Sequence, residues 1–506
     1  MSSTLTDIQD AFATQHVGDY PLTSKKPIFR AFRQTLSKFL EAIVALSVFP
    51  SLQSTDKEML ENLQTWIGAM SSSTLRQFRH TATVFALELV SHLAKEARKI
   101  RQAVSHTNRQ LEAEARRKAL NDARMKSLSN KLLTYESMRD QVEGLIKDIF
   151  DTVFVHRYRD VDPKIRIDCI QGLSNWISVL PEVFFDGTYI RYLGWVLSDT
   201  VHTTRLEVIR ALAKLFSVRD HVAGLRHFTE RFRDRLVEMA TRDADVAVRA
   251  ATVELLDVVR EVGYLEPQDI STVGRLLFDS EKKVRRAVVP FFVQNINDLY
   301  QEKLEQLGGK EAVYELLGED EADYEGPTRS WLKLKCLAEA LVYYDQAEEN
   351  GIGSNNNNNN NDSDFPSHHL LSDKSCGLVT KVEEIVSRFS LAGAVLWGTL
   401  DEVRDWEGLT RYLLFDYSVS RTEEEEDSAD SGDDIEKQIT KAIALDSNEE
   451  VILLQVLNAS LTGNIFKGPE LPNKKVQLVS TKTLLFFFNR ASTNTFLLAT
   501  YRVGKA

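Results

Sequence analysis

The chain has 506 residues, of which 43% are hydrophobic, so it can bury a large core or several domains and is not disordered as a whole. Its three cysteines, Cys169, Cys336 and Cys376, are odd in number and far apart, which excludes a disulfide scaffold and favours a reducing, intracellular compartment. No run approaches the ~18 apolar residues of a membrane-spanning helix, and the N-terminus lacks the basic and apolar parts of a signal peptide. Secretion and membrane insertion are therefore not expected.

Charge is distributed unevenly along the chain. The formal net charge is −12, but residues 423–434 hold eight carboxylates and no base, so the remainder carries only −4. Residues 95–131 hold eleven lysines and arginines against four acids, a local charge of +7. A local field of this kind can attract an anionic partner although the net charge is negative.

Helical periodicity dominates from the N-terminus onward and predicts an all-α protein. Residues 1–73 are expected to form an N-terminal helical segment. The next stretch, residues 74–152, has no proline and only one glycine, Gly144. It predicts a projecting pair of helices that are longer than those of a normal repeat and that turn back on one another near residues 127–133.

One arm of this helix pair is strongly basic. Spacings of three and four place several of its cations on one face, which suits contact with the phosphates of duplex DNA without reading the bases. Tyr135 is the only aromatic residue nearby, which disfavours stacking on single-stranded bases. The alternative is a solvated helix with internal ion pairs between Glu112 or Glu114 and the bases that follow them. The candidate DNA-binding residues are Lys95, Arg98, Lys99, Arg101, Arg109, Arg116, Arg117 and Lys118.

An internal repeat occupies residues 153–240 and 241–344. Four times an aspartate precedes an arginine by six residues, and the arginines are 39, 44 and 36 residues apart. This period is typical of HEAT repeats, whose stacked helix pairs bury a face that no single pair can bury, and it predicts a HEAT-repeat α-solenoid. The alternative for each pair is an N-cap aspartate and a solvated arginine. The four pairs are Asp160 and Arg166, Asp199 and Arg205, Asp243 and Arg249, and Asp279 and Arg285.

Two solvated insertions are expected to interrupt the later repeats. Residues 345–376 contain seven consecutive asparagines, residues 421–434 form the acidic run, and neither can bury a core. Residues 377–420 and 435–462 return to helical periodicity. Residues 463–506 form a divergent tail of short, β-prone apolar sequence with no assigned role.

No motif of a catalytic or nucleotide-binding site occurs, since the sequence lacks GxxxxGK[ST], GxGxxG, HExxH and GxSxG. His368 and His369 are adjacent but have no third ligand at metal spacing, so a metal site is not expected. His80 and His156 are expected to pack or cap rather than to act as bases. The sequence thus predicts no enzyme, no cofactor and no small-molecule substrate.

Aromatic residues cluster with arginines in two adjacent repeats, in Tyr189–Trp195 and in His227–Phe232. Most aromatic residues of a helical array, such as Tyr192 and Phe228, are expected in the core. A tryptophan and a phenylalanine near the ends of neighbouring helices, flanked by arginines, can instead form an apolar cleft with a cationic rim. Such a cleft suits a peptide with an aromatic anchor and nearby acids.

These segments resemble a known family, the stromalin or stromal antigen subunit of cohesin. The strongest similarity is in FVHRYRD from Phe154, YIRYLGW from Tyr189 and FTERFRDRLVEM from Phe228. Upstream, FRHTATVFALEL from Phe78 and TNRQLEAEARRKAL from Thr107 are similar to the long-helix nose of that family. Several long motifs in the same order make the resemblance specific.

The resemblance implies a chromatin-bound, nuclear HEAT-repeat subunit of cohesin that binds the kleisin subunit, holds double-stranded DNA without sequence preference and recruits cohesin regulators. It also implies that the cleft docks aromatic-containing motifs of shugoshin-like and wings-apart-like regulators. Gly187 departs from the family, whose animal members tend to carry an acid there, although Asp186 lies next to it. The residues that fall on the cleft positions are Tyr158, Arg159, Arg191, Trp195, Arg231 and Phe232.

The similarity does not extend over the full length of a family member. Members of the family are considerably longer, and the similarity ends near Thr462, so the resemblance implies a form truncated at the C-terminus. The alternative function is a HEAT-repeat scaffold of the transport or phosphatase type, which recognises proteins only. Retention of duplex DNA at physiological salt separates the two functions.

Overall fold

The structure is a computed structural model that describes residues 2–15, 19–48, 55–116, 122–317, 327–352, 387–415 and 433–467. Within these ranges the regular secondary structure is helical and contains no β-strand, which confirms the all-α prediction. None of the helices in them is long and apolar enough to cross a membrane. Arg117, Lys118, Cys376, His368 and His369 lie outside the described residues.

The first part of the chain ends in two long helices that pack as a hairpin. Ion pairs join Arg101 to Glu143 and Arg124 to Glu114, so the two helices run antiparallel. The longer helix has 40 residues, which is about 60 Å of length at 1.5 Å per residue. The helices of this part are α1 (Ser2–Thr14), α2 (Phe32–Val48), α3 (Thr55–Ser71), α4 (Arg76–Ala115) and α5 (Asp122–Ile149).

The turn of the hairpin comes earlier than the sequence predicted. Helix α4 ends at Ala115 and α5 begins at Asp122, so residues 127–133 lie inside α5 and the prediction of a turn there is wrong. Ser127 and Asn130 gave this stretch the composition of a loop. Both side chains are exposed, and a polar residue on the solvent face lowers helix stability only slightly.

Short helices stack in sequence beyond the hairpin. Helices α4, α7, α10, α12 and α14 each contact the next, and α9, α11 and α13 form a second row beside them. A π-helical turn, Phe150–Phe154, links α5 to α6 without a break in the chain's helical path. The helices of this part are α6 (Val155–Arg157), α7 (Pro163–Val179), α8 (Pro181–Phe184), α9 (Gly187–Val196), α10 (His202–Phe216), α11 (Arg219–Arg242), α12 (Val246–Glu261), α13 (Pro267–Gly274) and α14 (Lys282–Gln306).

The remaining helices lie between the predicted insertions. Helix α16 reaches Ile352 and α20 begins at Asp433, so the ends of both insertions are helical where the sequence predicted solvated chain. The rest of both insertions and the tail beyond Lys467 lie outside the described residues. The helices are α15 (Lys310–Leu316), α16 (Arg329–Ile352), α17 (Arg388–Leu396), α18 (Asp401–Arg404), α19 (Trp406–Leu414), α20 (Asp433–Ile443) and α21 (Ser447–Lys467).

Each repeat is tied to the next by an ion pair along one edge of the stack. The arginine of one repeat donates to the aspartate of the following repeat, and it also donates to the carbonyl oxygen of its own repeat's aspartate over 2.6 to 3.0 Å. The aspartate in turn accepts from the backbone N–H two residues later, which orders the turn. The sequence-based alternative of solvated arginines is therefore wrong. The rungs are Arg166 with Asp199 at 2.6 Å, Arg205 with Asp243 at 2.7 Å and Arg249 with Asp279 at 3.3 Å.

An additional rung precedes the four pairs that the sequence shows. Arg79 on α4 donates to both carboxylate oxygens of Asp160, over 2.7 and 3.2 Å, and to the carbonyl oxygen of Ser73. Ser73 takes the place of the aspartate, since its hydroxyl accepts from the N–H of Leu75 two residues later. Because the α4–α5 hairpin intervenes, Arg79 and Arg166 are 87 residues apart, and neither residue type nor period marked this rung in the sequence.

A buried cluster of charged groups fastens α2 to the start of the stack. Asp168 on α7 is fully buried and accepts from His80 at 2.9 Å, from Arg33 at 2.9 Å and from Lys164 at 3.1 Å. Burial alone would raise the pKa of Asp168, but the hydrogen bond from His80 and the charges of Arg33 and Lys164 outweigh it and lower that pKa. His80 is thus a packing residue, as the sequence predicted.

One apolar core runs along the stack. It includes Val90 on α4 and Trp176 on α7. Two cysteines also lie in this core. Burial raises the pKa of Cys169 well above its ordinary value and that of Cys336 to about 12, so both are thiols at neutral pH and act as small apolar residues.

Candidate peptide cleft and basic helix

Three aromatic rings lead from the core to the surface where the repeats begin. Phe150, Phe154 and Tyr158 are four residues apart along the path through the π-helical turn and α6. Their ring centroids are 4.6 Å and then 6.1 Å apart, and both pairs of rings stack. The two phenylalanines are buried, whereas Tyr158 is partly exposed. The column therefore supports Tyr158 from below at the surface.

Helix α9 adds the most exposed ring. Tyr192 faces inward and lies 4.8 Å from Tyr158 and 5.1 Å from Trp195, measured between ring centroids. Trp195, three residues further along α9, lies beside Tyr158 at 6.3 Å and is 44% exposed. The prediction that Tyr192 and Phe228 belong to the core is confirmed, because both are buried. Trp195 instead presents a large apolar surface to solvent.

Helix α11 supplies the second wall. The ring of Phe232 packs on Phe228, with centroids 4.8 Å apart, and rests on the backbone of α9 at Gly194. Since Gly194 immediately precedes Trp195, the structure brings Phe232 and Trp195 to the same part of the surface. Phe232 thus contacts the helix that carries Trp195.

A guanidinium group covers each of the exposed rings. Arg159 lies 5.9 Å from the Tyr158 ring, Arg191 lies 5.3 Å from the Trp195 ring, and Arg231 lies 5.6 Å from the Phe232 ring. All three arginines are exposed, and none forms an ion pair with any residue in the described part of the chain. A carboxylate brought beside these rings would therefore meet cations that form no ion pair among the described residues.

Arg235 and Gly194 also shape the cleft, although their residue types did not single them out in the sequence. Arg235, one helical turn after Arg231, donates to the carbonyl oxygen of Leu197 at 3.2 Å and to Glu238 at 2.6 Å. It thereby joins α11 to the C-terminal end of α9. Gly194 contributes by its lack of a side chain. The spacing of four between the two arginines was the signal available for Arg235.

The basic face of α4 divides into free and paired cations. Lys95, Arg98 and Arg109 are exposed and have no ion pair within the described ranges. Lys99 pairs with Glu96 at 2.7 Å but keeps most of its side chain in solvent, whereas Arg101 pairs with Glu143 of α5 at 2.7 Å. Arg101 therefore holds the hairpin together and presents less of its charge to a ligand.

At the C-terminal end of α4, the ion pairs agree only in part with the alternative of a solvated helix with internal ion pairs. Arg116 pairs with Glu112 at 3.6 Å within α4, as that alternative predicts. Glu114 instead pairs across the hairpin with Arg124 at 3.6 Å. Arg117 and Lys118 lie outside the described residues, so their candidate roles remain predictions. The described residues contain no group of three or more His, Cys, Asp or Glu side chains that could hold a metal ion.

The fold is a helical-repeat solenoid of the HEAT type. Two family models match the chain, the STAG domain over residues 18–131 and the Stromalin conservative domain over residues 159–233. The first covers the segment from α2 into α5, and the second covers the repeats that carry the cleft. The resemblance to the stromalin family is thereby confirmed, and the chain carries that family's two domains in order.

Individual relatives agree with these matches. The chain is 33% identical to Cohesin subunit psc3 of Schizosaccharomyces pombe over 461 residues, which are 91% of this chain and 45% of that protein. It is 32% identical to human Cohesin subunit SA-3, over 58% of this chain and 24% of that protein. It is also 32% identical to Sister-chromatid cohesion protein 3 of Arabidopsis thaliana, over 53% of this chain and 24% of that protein.

A solved structure shares the fold. Cohesin subunit Scc3 from Z. rouxii superposes with a TM-score of 0.69 at 21% identity, covering 92% of this chain and 49% of that one. The helical solenoid predicted from the sequence is therefore confirmed. The chain spans about half the length of psc3 and of the Scc3 structure.

Proposed function

We propose that this chain is the HEAT-repeat accessory subunit of a cohesin complex, acts on chromatin in the nucleus in sister chromatid cohesion, and works by binding rather than by catalysis. The observation that carries the proposal is Trp195, which is 44% exposed beside Arg191 inside the matched stromalin conservative domain, where Arg191 forms no ion pair with a described residue. A structural core would have buried this ring or paired this cation. A docking surface requires both to be available.

The first proposed partner is the kleisin subunit of cohesin. Psc3 and SA-3 are named as cohesin subunits, and this chain shares their domains in order. The ladder of ion pairs keeps successive repeats at a fixed spacing, which presents an extended surface to an extended segment of a partner. Binding along such a surface needs no hydrophobic pocket of its own.

The second proposed partner is double-stranded DNA, held by the exposed cations of α4. Lys95, Arg98 and Arg109 project from one helix without carboxylate partners in the described chain, so phosphate oxygens can replace water around them. Contacts of lysine and arginine to phosphate oxygens carry no information about the base sequence. Binding by this face would be independent of DNA sequence.

The third proposed interaction is with cohesin regulators at the cleft. Trp195 and Phe232 offer apolar surface for an aromatic anchor, and Arg159, Arg191 and Arg231 offer charge for nearby acids. Aromatic and acidic motifs of shugoshin-like and wings-apart-like proteins fit this chemistry. Gly187 is the first residue of α9, and Asp186 caps that helix by accepting from the N–H of Thr188.

Reconstitution tests the whole proposal. The full chain is mixed with a kleisin of the same species, and co-elution in size-exclusion chromatography is followed by electrophoretic mobility shifts with two 40-base-pair duplexes of unrelated sequence. We expect a stable kleisin complex that shifts both duplexes equally, with affinity that falls steeply as salt rises. Kleisin binding without any DNA shift at 150 mM salt would favour the scaffold that recognises proteins only, and failure to bind the kleisin would contradict the proposal.

A further inference from the structure

Helix α2 carries an apolar stripe that nothing in the described chain covers. Phe32, Phe39 and Leu46 are 40%, 59% and 63% exposed. They are spaced by seven residues, which is close to two helical turns, so the three side chains form one line along the helix. Ile28, in the turn before α2, is also exposed near its start. An aligned set differs from the scattered apolar residues that every protein surface contains.

The stripe is the uncovered edge of a wider apolar face. The other edge of that face, with Leu36 and Leu40, packs on Val84 and Phe85 of α4 and is sufficient to dock the helix. Docking one helix on a core needs an apolar sector of about 100°. Phe32, Phe39 and Leu46 widen the sector beyond what contact with α4 uses. Packing among the residues that the structure describes therefore does not account for them.

Charge beside the first half of the stripe is of one sign. Residues 20–40 include five lysines and arginines and no acid. Lys26 pairs with Asp19, and Arg33 is occupied by Asp168 at 2.9 Å. Lys25, Arg30 and Lys38 are exposed and form no ion pair with residues that the structure describes. An occupant of the stripe would therefore gain from carboxylates at its margins.

We propose that the α2 stripe docks an acidic amphipathic helix of a partner protein. From Phe32 to Leu46 the stripe spans fourteen residues, or about 21 Å, which a helix of four turns covers with apolar residues at every third or fourth position. The site lies outside the cleft and the basic face of α4, and it does not depend on the proposed function of either.

Two other occupants fit the charges less well. In a symmetric pair of α2 helices crossing at Phe39, Lys38 of one copy would lie near Lys38 of the other, so like charges would oppose a dimer. An anionic lipid surface would be attracted to the segment but repelled by the chain as a whole, which carries −12. Both remain measurable outcomes.

Fluorescence anisotropy with the full chain tests the proposal. The probe is a fluorescein-labelled synthetic peptide of 16 residues with leucines along one helical face and glutamates elsewhere, and the reference probe has the same composition in scrambled order. We expect the amphipathic peptide to bind at least tenfold more tightly than the scrambled one. Phe39→Ser combined with Leu46→Ser should remove this preference, and Lys38→Glu combined with Arg30→Glu should weaken binding without altering apolar surface.

Leu133→Ser on α5 is the matched control, because Leu133 is equally exposed at 61% and lies outside the stripe. It should leave binding unchanged, and a thermal scan of each variant should show an intact fold. Equal binding of the scrambled peptide, or equal weakening by Leu133→Ser, would overturn the proposal. A dimer in light scattering, or flotation with phosphatidylserine vesicles, would also overturn the proposal if Phe39→Ser abolished it.

Discussion

Phe232 rests on Gly194 at a distance that only glycine permits. A β carbon at Gly194 would lie 2.2 Å from Cζ of the Phe232 ring and 2.3 Å from its Cε2, far inside van der Waals contact. One wall of the cleft on α11 is thus positioned by the missing side chain of the residue before Trp195 on α9. The glycine acts through space rather than through its backbone angles.

Gly194→Ala is therefore expected to disturb the cleft before it disturbs the fold. The added methyl must displace the Phe232 ring, which is only partly buried and can swing toward solvent, at a cost of about 1–3 kcal/mol in the free energy of unfolding. Affinity for a peptide with two phenylalanines flanked by aspartates should fall about tenfold in calorimetric titrations. Gly187→Ala is the matched control, since a β carbon at Gly187 meets nothing within 4 Å and should change neither quantity.

Trp195→Ala separates a docking residue from a core residue. Because nearly half of the side chain is in solvent, its removal should leave the circular dichroism spectrum and the melting temperature almost unchanged. It should cost about 2 kcal/mol in affinity for the same peptide if the ring anchors the ligand. Trp176→Ala, in the buried counterpart on α7, should instead unfold the repeats. Loss of folding in both variants would show that Trp195 is structural.

The ladder predicts that replacing a buried arginine lowers the free energy of unfolding far more than replacing an exposed one, although the two look alike in sequence. Arg205→Ala leaves the carboxylate of Asp243 nearly buried without its cation and should lower the free energy of unfolding by about 3 kcal/mol. The pKa of Arg205 is raised mainly by its hydrogen bond to Asp243, which is consistent with a tight pair. Arg226→Ala removes an exposed pair with Glu230 on α11 and should cost less than about 0.5 kcal/mol.

A double-mutant cycle completes this comparison. If Arg205 and Asp243 act as a pair, adding Asp243→Ala to Arg205→Ala should cost far less than Asp243→Ala alone in denaturant titrations. Additive losses would contradict the pairing.

The sequence predicted three of the four rungs for a definite physical reason. An aspartate in the turn and an arginine six residues later must recur with each repeat, so the pattern is visible wherever both residue types are present. The pattern missed the rung at Ser73 and Arg79 for two reasons. A serine hydroxyl there accepts the backbone hydrogen bond that an aspartate accepts in the other repeats, and the intervening hairpin lengthens the spacing to the next arginine. The turn of the hairpin was misplaced because propensity is a weak signal in long exposed helices.

The ion pairs of the buried Asp168 should make the free energy of unfolding fall in acid. Its pKa is lower in the folded chain than the ~3.9 of an unfolded aspartate, so its contribution is fully present above about pH 4 and is lost as the pH falls through the folded value. Asp168→Asn should therefore reduce the free energy of unfolding by about 3 kcal/mol at pH 7, where His80, Arg33 and Lys164 lose an anionic partner. The difference from the wild type should be constant between pH 7 and 5 and should shrink below pH 4.

Denaturant titrations over this pH range measure the effect. Asp140→Asn, at an exposed site on α5, provides the control and should follow the wild-type curve. A gap for Asp168→Asn that does not close in acid would contradict the assignment.

Charge reversal on α4 should weaken DNA binding through counterion release. Lys95→Glu, Arg98→Glu and Arg109→Glu together remove three exposed cations, so the slope of log affinity against log salt should fall by roughly 3, at about 0.9 for each phosphate contact. Arg101 is left in place because its pair with Glu143 stabilises the hairpin. The same charge change at Lys126, Lys131 and Lys147 on α5 should have a much smaller effect. Equal losses in both triple variants would show that net charge, and not the α4 face, governs binding.

The candidate sites show what sequence reasoning can and cannot supply. Residue types predicted Trp195, Phe232, Arg191 and Arg231 for a cleft, because aromatic and cationic residues side by side suit a peptide ligand, whereas Arg159 was implied only by the family resemblance. They did not show which cations were already paired, since the partner of Arg101 lies 42 residues away across the hairpin. The π-helical turn that continues the aromatic column to Tyr158 depends on packing against α9 and α7 and has no sequence signature.

The ladder also has a mechanical consequence. Its rungs all join successive turns, so the spacing of the repeats is held constant along that edge by pairs that can separate only by stranding a charge away from water. Apolar side chains between stacked helices can slide past one another at a smaller cost. Under load the stack would thus pivot about its laddered edge and flex in one plane, so that tension along the stack is relieved by bending and not by lengthening.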